Sequence, residues 1–139
     1  MAVVLLSGGL DSALNLALAV RDGKASLALT MRYGQRAESP ELKASESLCA
    51  HYKVRWRAVD VRWLGEVNPT LLTREGGLPQ LSTEELDSTK ASSASMRAVW
   101  VANRNGVFLN IAAAYAEALG EKEVLAGYNI EEAATFPDN

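Results

Sequence analysis

The chain has 139 residues, 48% of them hydrophobic and 22% charged, the size and balance of one globular domain that buries about two-thirds of its unfolded surface. Fourteen Lys and Arg against seventeen Asp and Glu leave a formal charge of −3, without the basic footprint of a protein that lives on nucleic acid, so no nucleic-acid partner is expected. No apolar run reaches about 18 residues and the start lacks a basic leader segment, so neither a membrane span nor a secretory signal is expected, and the cytoplasm is the expected compartment. One cysteine, Cys49, and one histidine, His51, can build neither a disulfide nor a four-ligand zinc site.

Residues 2–6 form a continuous apolar run that stops at Ser7-Gly8-Gly9, the pattern of a buried parallel strand. Residues 11–21 read as a helix packed through Leu14, Ala17 and Leu18 and closed by Gly23 as its C′ residue. A second strand is expected over 25–31. Residues 41–52 return to helical period, with Leu42, Leu48, Cys49 and Tyr52 as the apolar stripe, and residues 54–61 alternate as a third strand. Periodicity then fails from 66 to 100, where Gly76-Gly77, Pro79 and a Ser/Thr-rich stretch dominate. A connection of that length is expected to be a flap over the site, with a short helix started by Ser82-Thr83-Glu84-Glu85. Residues 107–119 place Phe108, Ile111, Ala112, Tyr115 and Leu119 on one helical face, and 124–126 supply a fourth strand. Helices alternating with buried strands give an α/β fold with a doubly wound parallel sheet, and residues 1–139 are expected to form a single domain.

The hexapeptide Ser7-Gly8-Gly9-Leu10-Asp11-Ser12 joins the end of a buried strand to a helix N-terminus, where unpaired N–H groups and the helix dipole attract anions. Gly8 and Gly9 let the backbone approach a phosphate with no Cβ in the way. Ser7 and Ser12 add hydroxyls, while Asp11 either holds Mg²⁺ against the phosphates or caps the helix. Gly23-Lys24 is followed by Ala25, so there is no G-x-x-x-x-G-K-[ST] loop; G-x-G-x-x-G and G-x-S-x-G are absent too. Cys49 falls on an apolar stripe and reads as core packing, and Trp56, Trp63 and Trp100 read as core or flap aromatics.

The hexapeptide after an apolar strand resembles the SGG-x-DS loop of the PP-loop ATP pyrophosphatases. Tyr33-Gly34-Gln35-Arg36, Asn103-Arg104-Asn105, Gly127-Tyr128-Asn129-Ile130-Glu131-Glu132 and Phe136-Pro137-Asp138 extend the resemblance, in order, to the 7-cyano-7-deazaguanine (preQ0) synthase family. Ala37, Ala102 and Asn139 depart from residues common in that family. The resemblance implies an adenine nucleotide alpha hydrolase-like sheet in the order 3-2-1-4-5, with the fifth strand and a zinc-binding cysteine cluster lying beyond the part of the family that this chain matches. No zinc ligands are expected in this chain.

Activity implied by the resemblance is an ATP-dependent C–N ligase reaction in queuosine-type deazapurine biosynthesis. Here 7-carboxy-7-deazaguanine is adenylated, ammonia displaces AMP, and the amide is activated again and dehydrated to the nitrile. ATP and Mg²⁺ are the implied cofactors, with Asp11 as the metal's carboxylate, and self-association to a homo-oligomer is expected. Ser7, Gly8, Gly9, Leu10, Asp11, Ser12, Gly34 and Gln35 are the implied ATP contacts, and Asp11, Arg36 and Arg104 the catalytic charges. Asn103, Arg104, Asn105, Asn129, Glu131, Glu132, Phe136 and Asp138 are the implied substrate contacts. Two alternatives stand beside this reading: a tRNA-modifying PP-loop enzyme, which the single Cys49 disfavours, and a nucleotide-binding module without turnover.

Overall fold

The computed structural model describes residues 1–67 and 100–128. Short, β-branched or leucine-rich runs become the strands β1 (Ala2–Leu5), β2 (Ala25–Arg32), β3 (Arg55–Asp60) and β4 (Glu123–Leu125). All pairings are parallel and the order is β3-β2-β1-β4. Parallel strands need crossovers, and helices α1 (Leu10–Arg21), α2 (Glu38–Tyr52) and α4 (Arg104–Leu119) supply them, with α3 (Trp63–Val67) a single turn after β3. Winding reverses between β1 and β4, the position where α/β sheets of this kind open a crevice at their carboxyl ends.

β1 is the hub. Its residues alternate between two cores, as the period of two in a strand requires. Val3 and Leu5 join Leu27, Leu29 and Met31 of β2 and Ala112 and Ala116 of α4 on one face. Val4, with Leu6 just beyond the strand, joins Leu16 and Ala19 of α1, Ala28 of β2 and Cys49 of α2 on the other. Cys49 is fully enclosed, and burial pushes its thiol up to about 11, the behaviour of a packing residue rather than a nucleophile.

The expected face of α1 is corrected by the structure. Leu14 and Leu18 are 57% and 40% exposed, whereas Ser12, Leu16 and Ala19 are buried. This helix is apolar almost all round, so its period could not select a face; tertiary contact with β1 does. Its end follows the sequence closely: Gly23 adopts φ +66, its N–H donates to the Val20 carbonyl at 3.0 Å, and Lys24 N–H donates to the Ala19 carbonyl at 2.8 Å. That pair of bonds is a Schellman closure.

Three further boundaries differ. α2 begins at Glu38 rather than 41, because Pro40 falls in the first helical turn, where an N–H has no intrahelical partner to lose. α4 begins at Arg104 rather than 107, and at its far end Leu119 is 42% exposed rather than packed. α3 was unforeseen, being too short to show a helical period. The expected flap and the helix starting at Ser82 lie outside the described residues, apart from the ends of that segment.

Leu16→Ala should cost about 2–5 kcal/mol, because a wholly enclosed side chain leaves a cavity, while Leu14→Ala should stay within about 0.5 kcal/mol. Urea unfolding of the two variants measures this contrast; equal losses would return α1 to the face its sequence suggested.

Candidate functional site

β1 releases the chain at Leu5 and α1 starts at Leu10, so the intervening turn lies at the carboxyl edge of the sheet. Its two glycines do different work. Gly8 has φ +79, and a Cβ there would stand 2.9 Å from the Glu41 carbonyl oxygen and 3.0 Å from Ala44 Cβ. Gly8 therefore serves a left-handed turn seated tightly on α2. Gly9 is extended at φ −77, and only Ser7 Oγ, at 3.5 Å, is near a Cβ placed on it. Gly9 also belongs to the lining of the cavity described below.

Ser12 holds the loop closed. Its Oγ accepts from Ser7 N–H at 3.1 Å, donates to the Gly9 carbonyl at 3.0 Å and lies 3.1 Å from Ser7 Oγ. Gly9 is the N-cap and has no side chain with which to cap the helix. Asp11 is thus a first-turn carboxylate and not the N-cap residue. The N–H groups and the dipole of the first turn of α1 favour an anion at this end.

The chain leaving β4 closes the second side. A Cβ on Gly127 would stand 2.9 Å from the Asp11 carbonyl oxygen and 3.0 Å from Ser12 Cα. Backbone passes directly against backbone there, which only glycine permits. The next residue, Tyr128, donates its hydroxyl to the Asn105 carbonyl at 3.4 Å, linking this segment to α4.

Between these walls lies a cavity of about 280 Å³ whose lining includes Gly9, Asp11, Ser12, Gln35, Glu41 and Arg104. Leu29, Met31, Tyr33 and Phe108 form its apolar side, with the Tyr33 and Phe108 rings 5.6 Å apart. The Arg104 guanidinium stands 5.8 Å from the Tyr33 ring centroid and its Nε donates to Asn105 Oδ1 at 3.2 Å. Burial pushes the Tyr33 hydroxyl up, against the pull of Arg104. Gln35, an expected ATP contact, is pinned by its own turn. Its Oε1 accepts from Tyr33 N–H at 2.9 Å, and its Nε2 donates to the Met31 carbonyl at 3.1 Å and to Glu41 Oε2 at 2.7 Å.

Of the residues singled out by sequence, Ser7, Gly9, Leu10, Asp11, Ser12, Gln35, Arg104 and Asn105 line this cavity. Gly8 underpins it. Arg36 and Asn103 are exposed and outside its lining; Gly34, at φ +83, shapes the turn after β2. Asn103 instead folds its amide over Gly106, whose missing Cβ makes room for it. Asn129, Glu131, Glu132, Phe136 and Asp138 lie outside the described residues. Sequence reasoning missed Glu41, because an acidic residue in the first turns of a helix ordinarily reads as a solvated partner of the dipole. Among the described residues no group of three or more His, Cys, Asp or Glu could hold a metal ion, and no helix is long and apolar enough to cross a membrane.

Gly127→Ala and Gly8→Ala should each destabilise by about 1–3 kcal/mol, since the new Cβ meets backbone. Gly9→Ala should cost under about 1 kcal/mol. Thermal melting of the three variants checks this ranking, and a Gly9 variant as unstable as the other two would mean that its open side is filled.

The family profile described as "Queuosine biosynthesis protein QueC" matches residues 1–139. The chain is 51% identical over 138 residues to a 7-cyano-7-deazaguanine synthase of Desulforamulus reducens, covering 99% of this chain and 60% of that protein. It is 52% identical over 138 residues to the one of Pelotomaculum thermopropionicum, covering 62% of it. The chain thus spans about three-fifths of the length of these relatives. Among solved structures, an NH3-dependent NAD synthetase from Campylobacter jejuni in complex with nitrate superimposes with TM-score 0.57 at 21% identity, over 95% of this chain and 48% of that one. An NMN synthetase from Francisella tularensis gives TM-score 0.51 at 17% identity, over 88% of this chain and 43% of that one. Both share the fold; the profile and the sequence relatives settle the family. The match of that profile along residues 1–139 gives the conclusion: the chain belongs to the queuosine biosynthesis protein QueC family.

Proposed function

We propose that this chain carries the nucleotide-activating part of an enzyme that converts 7-carboxy-7-deazaguanine and ammonia to 7-cyano-7-deazaguanine at the expense of ATP. The observation that carries the reading is the seat at the N-terminus of α1. Gly9 offers an approach with only Ser7 Oγ near a Cβ placed on it, it brings no capping side chain to the helix end, and the seat opens onto a cavity with Arg104 among its lining residues. The relatives that bear the name 7-cyano-7-deazaguanine synthase supply the substrate class.

In this reading the first-turn N–H groups of α1 receive the β- and γ-phosphates of ATP, leaving the α-phosphorus open. The substrate carboxylate attacks that phosphorus and pyrophosphate departs into the seat. Ammonia then adds to the acyl carbon, loses a proton and expels AMP, which leaves the amide. A second ATP activates the amide oxygen in the same way, and loss of the second AMP with the remaining amide protons gives the nitrile. Arg104 offsets charge as it builds on the phosphates, an electrostatic contribution that needs no covalent chemistry from the protein. Cys49 takes no part.

Mg²⁺ is bound beside phosphates by one or two carboxylates rather than by a full protein cage. Asp11, in the cavity lining at the same helix end, is fit to supply one, and the ion would neutralise the phosphate charge facing that carboxylate. Zinc does not fit the residues described: the one cysteine is buried in the core, and no step is assigned to zinc.

Given 7-carboxy-7-deazaguanine, ammonium and Mg-ATP, the full-length protein should release pyrophosphate and form the nitrile, while plain 7-deazaguanine, having no carboxylate, should elicit neither. Phosphorus NMR of the nucleotide products decides between routes. ADP and phosphate would refute adenylation, and tight ATP binding with no product from acid or amide would reduce the chain to a nucleotide-binding module.

A further inference from the structure

Glu41 stands in the cavity wall with no part in the chemistry just described. It belongs to the first turns of α2, half-buried, with its carboxylate lining the same space as the Ser7 to Ser12 loop. A carboxylate has about four acceptor sites, and among the described residues its one hydrogen-bond donor is Gln35 Nε2, at 2.7 Å. Gln35 cannot turn away to serve anything else, because its remaining polar atoms are held by Tyr33 N–H and the Met31 carbonyl. The carboxylate is therefore locked in place with acceptor capacity to spare. Burial pushes its carboxyl up, and Gln35 and the charge of Arg104 only partly oppose this. A half-desolvated carboxylate gains from any further donor that enters the cavity.

The lining beside it is apolar and aromatic. Leu29 and Met31 are buried there, and the Tyr33 and Phe108 rings, 5.6 Å apart and inclined at 51° to each other, also line the cavity. We propose that Glu41 is a specificity-determining residue, whose carboxylate accepts a hydrogen bond from the exocyclic amine of a heteroaromatic ring held in this cavity. The inference rests on the nucleotide and deazapurine reading above and names the contact that selects the ring. Two ligands of the proposed reaction carry such an amine, the adenine of ATP and the deazaguanine of the acid, and their shared chemistry is what Glu41 reads. Arg104 repels a bare ammonium ion from the same wall, which favours a neutral amine donor over a cation.

The test is calorimetric titration of the parent chain, E41Q and E41A, with two matched ligand pairs: ATP against inosine triphosphate, and 7-carboxy-7-deazaguanine against its analogue lacking the 2-amine. Inorganic pyrophosphate, which has no ring, reads the loop separately. In the parent, one pair should show a preference of about tenfold or more for the amine-bearing member, identifying which ring lies beside Glu41. E41A should bring that ratio close to one, E41Q should retain part of it through its amide oxygen, and pyrophosphate affinity should hold in both. A merely structural role would weaken both members of a pair alike and leave the ratio standing. The proposal is overturned if the parent shows no preference in either pair, or if E41A keeps the parent's ratio while pyrophosphate still binds. Failure of pyrophosphate to bind the parent would remove the nucleotide reading itself, and this contact with it. Melting curves identify any loss of fold in E41A, in which case E41Q decides by the same ratio.

Discussion

Everything in the site depends on where β1 ends. Ala2, Val3 and Val4 are wholly buried and hydrogen-bonded on both edges, to β2 and to β4. A strand fixed on two faces and two edges cannot slide, since a shift of one residue would exchange the Val3 and Leu5 side for the Val4 side. The chain is thus delivered at Leu6 to one point at the rim of the sheet. From there the turn to α1 has only four residues, 6–9, in which to reverse direction, and the left-handed Gly8 and the Ser12 hydroxyl make that turn possible. The proposed anion seat is a consequence of strand burial as much as of the loop's own residues.

Two features wall the proposed seat. Gly127 lets the chain from β4 lie against the backbone of Asp11 and Ser12, so the seat is walled by a second strand's exit and inherits its rigidity. On the other side, the turn after β2 is tied by Gln35 to its own strand and to α2. Charge is sparse between them: among the described residues Asp11, Glu41 and Arg104 are the ionisable groups in the cavity lining apart from the Tyr33 and Tyr128 hydroxyls. Glu41 and Arg104 are half-buried and so act more strongly on whatever enters than Asp11, which is exposed.

Much of this was readable from the residues. The buried run before Ser7-Gly8-Gly9, the alternation of strand and helix, the C′ role of Gly23 and the core role of Cys49 all stand in the structure, because each rests on a local rule with one physical outcome. The packed face of α1 was not readable: a helix apolar on every side carries no phase. Nor was the division of labour between the glycines. Sequence marks Gly8 and Gly9 as equivalent, while the structure gives one to the packing of α2 and leaves the other open. Ser12 was expected to face a ligand and is largely spent on the loop itself, and Gln35 is spent likewise on its turn. Glu41 could be found only in three dimensions, since its significance lies in facing residues from β2 and α4 that are remote in the chain.

The central claim is that Gly9 opens the helix terminus to a phosphate, and titration of inorganic pyrophosphate into the parent chain and into Gly9→Val measures it most directly. The expected result is binding by the parent and an affinity lower by about tenfold or more in the variant, some 1.4 kcal/mol, with the melting temperature nearly unchanged because a Cβ at this position meets only Ser7 Oγ. Equal affinity in two equally stable proteins would contradict it, and would move the anion site away from the end of β1.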